Sequence, residues 1–135
     1  MTRRPQLGRL GALLTAAFFL GCAVCVHAWV GAFDAEFGGF EDEPAHLVTA
    51  LMIRDWLIAG TQDLSVLLEP RAYAERYYIH YPKVSIGQWP PVFHGALAAW
   101  MLLVGSTQLA IVFFMTVLTA LTAFVVYLAM GRTMG

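Results

Sequence analysis

Glu41-Asp42-Glu43-Pro44-Ala45-His46 is the densest run of chemically capable side chains in the sequence. Consecutive carboxylates at the start of a helix are stabilised by the helix dipole, which is a sufficient structural reason for them. Chemistry offers a second reason. A carboxylate crowded by like charges beside a low-dielectric boundary is tuned toward general-base work, and Asp42 and Glu43 are the candidates. Glu43 and His46 share the Glu-x-x-His spacing of di-metal helical bundles, but such sites take two of these motifs and further glutamates from other helices. This sequence has one, which excludes a di-iron centre and leaves a single divalent metal ion on Asp42, Glu43 and His46 as the metal alternative.

Cys22-Ala23-Val24-Cys25 has the spacing of a redox or metal pair. It lies in a charge-free apolar run, where thiols behave as small hydrophobes and no cation stabilises a thiolate. Both cysteines therefore read as packing residues. His27 sits near the outer end of the same run. His94 lies three to four residues into another apolar segment, where histidines face protein or water. It is either a substrate-facing group or an imidazole satisfied by a backbone carbonyl.

The elements that must position these groups follow from charge and hydropathy. Of 135 residues, 59% are apolar and 13% charged, against roughly 45–50% and about 25% in soluble chains. No Asp, Glu, Lys or Arg occurs between Arg9 and Asp34, or between Lys83 and Arg132. A small soluble domain leaves too much surface wet to hide two such stretches. The pattern predicts an all-α membrane protein with three transmembrane helices, at residues 10–30, 90–105 and 109–130, and a long exported loop containing short interfacial helices. The middle span is the shortest. It begins at Pro90-Pro91, and proline suits the first turn of a helix. Gly105-Ser106-Thr107-Gln108 then forms a tight hairpin.

Arg3, Arg4 and Arg9, with no acid among residues 1–9, place the N-terminus in the cytoplasm. The loop at residues 31–89 carries all nine carboxylates against four basic residues, a local net charge of −5, and goes to the periplasm or cell exterior. The near-neutral total and the absence of a basic cluster argue against nucleic-acid binding. Two cysteines cannot build a disulfide framework. A basic start, an apolar run and Val26-His27-Ala28 also resemble a cleavable signal peptide, but the run is long for that and Phe19-Leu20-Gly21-Cys22 is a poor lipobox.

Within the loop, Pro44 suits a first helical position with Asp42 or Glu43 as cap. The apolar stripe Val48, Leu51, Met52 and Trp56 then predicts an amphipathic helix over residues 44–59, lying along the bilayer surface and ended by Gly60. A second short helix is expected from Leu64 to Leu68. Residues 73–81 gather four of the five tyrosines with Glu75, Arg76 and His80, the composition of an interfacial belt.

The order of these features resembles the N-terminal end of the integral-membrane GT-C glycosyltransferases, in the bacterial branch related to protein O-mannosyltransferases and the lipid A aminoarabinose transferase. Asp42-Glu43-Pro44-Ala45-His46 looks like that branch's first-loop acidic motif. The stretch from Glu75 through Tyr77-Tyr78-Ile79-His80-Tyr81-Pro82-Lys83 to Trp89-Pro90-Pro91-Val92-Phe93 looks like a variant of its approach to the second helix. The resemblance covers nearly the whole chain but only the beginning of such an enzyme. It implies a transferase that moves a sugar from a polyprenyl-phosphate donor to an acceptor hydroxyl, with inversion, on the non-cytoplasmic side of the bacterial inner membrane. Asp42 would be the base, with Glu43 as its neighbour or a metal contact.

A lipid phosphate also needs cationic partners. Some relatives carry a lysine immediately before the Pro-Pro pair, where this sequence has Trp89. Lys83, Arg76 or the backbone amides at the start of the loop helix are the substitutes, with His46, Tyr81 and His94 as further substrate-binding candidates. Three helices supply only part of such an active site. The expectation is therefore an N-terminal fragment, truncated within the tail at residues 131–135, or one half of an enzyme completed by a second chain. The alternative is a small non-enzymatic membrane accessory protein whose acidic loop and aromatic cluster bind a partner.

Overall fold

The computed structural model describes residues 8–35, 42–82 and 91–133. Among them the chain is all-helical: α1 (Arg9–Trp29), α2 (Asp42–Gln62), a 3-10 turn (Leu64–Leu68), α3 (Pro70–Tyr78), α4 (Pro91–Val104) and α5 (Gln108–Thr133). Two helices, α1 and α5, are long and apolar enough to cross a membrane, while α4 is apolar but shorter, with 14 residues. Lys83, Trp89, Pro90 and Glu41 lie outside the described residues.

The chain divides into two compact units, Met1–Ala35 with Ile111–Gly135, and Glu36–Ala110. In the first unit α1 meets α5. His27 Nδ1 on α1 and Thr116 Oγ1 on α5 are hydrogen-bonded at 2.6 Å, and the rings of Phe19 and Tyr127 approach to 5.8 Å between centroids. Ala23, Thr116 and Ala120 are buried here. Helix α1 ends because Gly31 takes φ +71 and its N–H and that of Ala32 cap the carbonyls of Ala28 and His27, a left-handed stop that glycine makes without a Cβ penalty. Cys22 and Cys25 are both exposed on α1.

The second unit is built on α2. The helix begins at Asp42 rather than Pro44, so both carboxylates belong to its first turn instead of capping it. It also runs through Gly60 to Gln62. Gly60 is not a stop but a contact point: the Leu67 side chain of the 3-10 turn occupies the space where a Cβ would stand. Trp56 Nε1 donates to the Val66 carbonyl at 2.9 Å, fastening the same turn to α2. Asp63 starts that turn by accepting from the backbone N–H and the hydroxyl of Ser65; the hydroxyl bond, above all, holds its carboxyl below the usual range.

The tyrosine-rich segment, expected only as a belt, is the helix α3, with Pro70 in its first turn. Helices α4 and α5 are joined by a tight connection. Gly105 turns the chain at φ +101, and Thr107 Oγ1 accepts from the Ala110 N–H at 3.2 Å, a hydroxyl cap on the new helix.

Candidate functional site

The acidic motif occupies the first turn and a half of α2. Asp42 and Glu43 are exposed, and His46 is half-buried. Positions three and four apart on a helix share a face, so Asp42, Glu43 and His46 line one edge of α2. That edge meets the start of α4. His46 Nδ1 and His94 Nε2 are hydrogen-bonded at 2.9 Å, the two rings lie nearly coplanar, edge to edge, with centroids 5.2 Å apart, and Phe93 stands edge-on to His46 at 5.8 Å.

His94 is 1% exposed. The partner of its Nε2 is the imidazole of His46. One ring must present an N–H and the other a lone pair, so the pair fixes both tautomers at the facing nitrogens. Four residues on from each histidine, Ala50 and Ala98 are fully buried; small side chains there let the backbones of α2 and α4 come close.

The apolar stripe expected on α2 is only half-buried at Val48, Leu51, Met52 and Trp56. The residues that bury are Ala50 and Gly60. Polar residues on α2 are also spoken for. Thr49 passes its proton to the Ala45 carbonyl at 2.8 Å and accepts from Tyr78 Oη at 3.0 Å. Arg54 holds Asp55 Oδ1 through Nε at 2.8 Å and through its terminal nitrogen at 2.6 Å, and Tyr77 Oη donates to Asp55 Oδ2 at 3.0 Å. Burial, then this bond and the Asp55 charge, hold the Tyr77 phenol well above its ordinary range. Tyr73 is raised as well, chiefly by burial and then by Asp55.

Tyr73, Tyr77 and Tyr81 form a ladder with ring centroids 6.2 and 5.7 Å apart. Their i, i+4 spacing is the sequence signal that would have placed them on one helical face. Arg76 is exposed near the end of α3. Tyr81 stacks on Tyr77 just beyond that helix. Of the expected site residues, then, Asp42, Glu43, His46 and His94 share the junction of α2 and α4, while Arg76 and Tyr81 belong to α3 and its exit. The Asp55–Arg54–Tyr77 group went unnoticed in the sequence, since Arg54 and Asp55 simply fall off the apolar stripe. Among the described residues no three His, Cys, Asp or Glu side chains gather closely enough to hold a metal ion, and His46 Nδ1 is taken up by His94.

Comparison with known protein families, with curated proteins and with solved structures finds no match to this chain.

Proposed function

We propose that this chain is the N-terminal portion of a GT-C type membrane glycosyltransferase, which takes a sugar from a polyprenyl phosphate and passes it with inversion to an acceptor hydroxyl. The observation that carries the reading is the meeting of the acidic motif with the start of α4 through His46 and His94. Those are the two segments on which the family resemblance rests, and they are far apart in sequence. In this reading α1, α4 and α5 are three transmembrane helices, residues 31–89 lie on the non-cytoplasmic side of the bacterial inner membrane, and a second chain or segment completes the site.

The chemistry assigned to each residue is what the resemblance implies. Asp42 takes the proton of the acceptor hydroxyl, whose oxygen attacks the anomeric carbon as the bond to the lipid phosphate breaks. An exposed carboxylate at a helix start is reachable by a membrane-bound donor and by an acceptor hydroxyl. Glu43 supports the charge of the same turn. Arg76 and Lys83 are the candidates for cationic contacts with the departing phosphate, with His46, His94 and Tyr81 as further substrate-binding candidates.

The test uses membranes carrying the full gene product and a radiolabelled polyprenyl-phosphate sugar. Asp42→Asn should lower label transfer by about 100-fold or more, the usual contribution of a general base, with membrane insertion unchanged. Undiminished transfer by this variant would make Asp42 a structural acid and remove the reading. A non-enzymatic accessory role is the second reading, favoured by the bare apolar side chains of Leu64, Leu68 and Ile79, 75%, 83% and 74% exposed. Under it, no sugar transfer depends on the gene at all.

A further inference from the structure

Asp55, in the second half of α2, has both carboxylate oxygens engaged. Arg54 holds Oδ1 at 2.8 and 2.6 Å, and Oδ2 accepts the Tyr77 hydroxyl at 3.0 Å. A phenol bonded to a carboxylate stands beside a base that can take its proton. Tyr77 is half-buried, and its raised ionisation keeps it a neutral phenol. It therefore meets any oxidant with its proton still on Oη and an acceptor already in place.

The neighbouring rings extend this arrangement. Tyr73 and Tyr81 flank Tyr77 with centroids 6.2 and 5.7 Å away and ring planes inclined by 28° and 23°. Tyr81 is 39% exposed, so the ladder reaches solvent at that end. Other tyrosines have different settings. Tyr78 is buried and donates to the hydroxyl oxygen of Thr49, a far weaker base than a carboxylate. Tyr127 lies in the apolar helix α5.

We propose that Tyr77 and Tyr81 are an oxidative cross-linking site, at which a one-electron oxidant produces an intrachain dityrosine with Asp55 as proton acceptor. The oxidant takes one electron from Tyr77, and the Oη proton passes along the 3.0 Å bond to Asp55 Oδ2. This leaves a neutral phenoxyl radical beside a carboxylic acid. A second oxidant takes an electron from Tyr81, whose proton goes to water. The two radicals join by a carbon–carbon bond ortho to the hydroxyls, and the ring hydrogens at those carbons return to the oxygens. Asp55 then releases its proton to water, so two electrons and two protons leave for one bond formed. Because Tyr77 is already fastened to α2, the bond pins the exit of α3 to the same helix. The assignment rests on α2 and α3 and is independent of the glycosyltransferase reading.

The test supplies the oxidant as tris(bipyridine)ruthenium(II) with persulfate and light, to the full chain in detergent and at low protein concentration. Dityrosine fluorescence, intact mass and peptide mapping are the readouts. A monomer lighter by two hydrogen atoms, with Tyr77 joined to Tyr81, is expected. Tyr77→Phe and Tyr81→Phe should each abolish it, and Tyr127→Phe should leave its yield unchanged. Asp55→Asn should slow its formation about 100-fold, the lower end of what a positioned base contributes. That variant also releases Arg54, so the unaltered chain in D2O is the second measurement: cross-linking should be slower there, since a proton moves with the electron. Equal rates in H2O and D2O, or an unchanged rate for Asp55→Asn, would overturn the proposal. Bridges found only between copies, or to Tyr73 in place of Tyr81, would overturn it as well.

Discussion

The histidine pair between α2 and α4 makes an asymmetric prediction. His94 is 1% exposed, whereas His46 is half-buried, and they share one hydrogen bond of 2.9 Å. Replacing His46 with leucine, of similar volume, leaves His94 Nε2 without that partner where water cannot enter. An unsatisfied buried polar group costs about 1–3 kcal/mol. Replacing His94 with leucine leaves the orphan on His46, which can turn to solvent, so the loss of this bond costs only its net worth of roughly 1 kcal/mol. Replacing both removes the orphan altogether, and the double variant should be no less stable than His46→Leu alone. The assay is reversible unfolding in mixed micelles, followed by far-ultraviolet circular dichroism, with a double-mutant cycle on the fitted free energies. The reasoning fails if His94→Leu is the costlier single change, or if the two costs simply add.

Gly60→Ala should destabilise by about 1–3 kcal/mol despite alanine's better helix propensity, because the new methyl meets Leu67; Leu67→Ala in the same chain should recover part of the loss in the same unfolding assay. Thr116→Val should cost roughly 0.6–1.7 kcal/mol, the range of interhelical hydrogen bonds between apolar helices, whereas Thr116→Ser should cost less since it keeps the hydroxyl that pairs with His27. Tyr77 should ionise above the range of an ordinary tyrosine, and Tyr77→Phe should remove the latest step from an ultraviolet tyrosine titration. Its neutral form is favoured in the folded chain, so this contribution to stability is full below about pH 10, where the unfolded phenol titrates, and is lost as pH rises toward the folded value. A cysteine at position 103, with Cys22 and Cys25 changed to alanine, should react slowly with a membrane-impermeant maleimide in bilayers and quickly in detergent; rapid labelling in both would place that face of α4 in water.

The long helices were legible because a charge-free stretch of about twenty residues has few other uses. Residues 10–30 became Arg9–Trp29, residues 90–105 became Pro91–Val104, and residues 109–130 became Gln108–Thr133. The 3-10 turn at Leu64–Leu68 was also anticipated. The boundaries of α2 were not, for a tertiary reason: Gly60 reads as a stop from local propensity, but packing of Leu67 over it keeps the helix going. Helix α3 was obscured by its composition. Its mean character is polar, and its tyrosines read as an interfacial belt until Tyr77 and Tyr78 are seen to bond Asp55 and Thr49 of α2. The acidic motif could be picked out as a unit, because its residues are contiguous. Its partner could not, since nothing in the spacing of 48 residues between His46 and His94 says that two imidazoles will meet.

Helix α4 shows what that meeting accomplishes. At 14 residues and 1.5 Å per residue it is about 21 Å long, short of a hydrocarbon core of roughly 30 Å. Its buried face consists of His94, Leu97, Ala98 and Met101, while Val92, Leu102, Leu103 and Val104 are exposed. A helix with an apolar outer face and one histidine on its inner face needs a polar partner for that histidine, and α2 supplies it one turn after Asp42. The same bond that satisfies a buried imidazole therefore fixes the acidic turn beside the start of an apolar helix. Structural necessity and the placement of the carboxylates are consequently not rival explanations of His46. Removing its ring tests the first through stability, and replacing Asp42 tests the second through chemistry, because the exposed Asp42 side chain takes no part in the histidine contact.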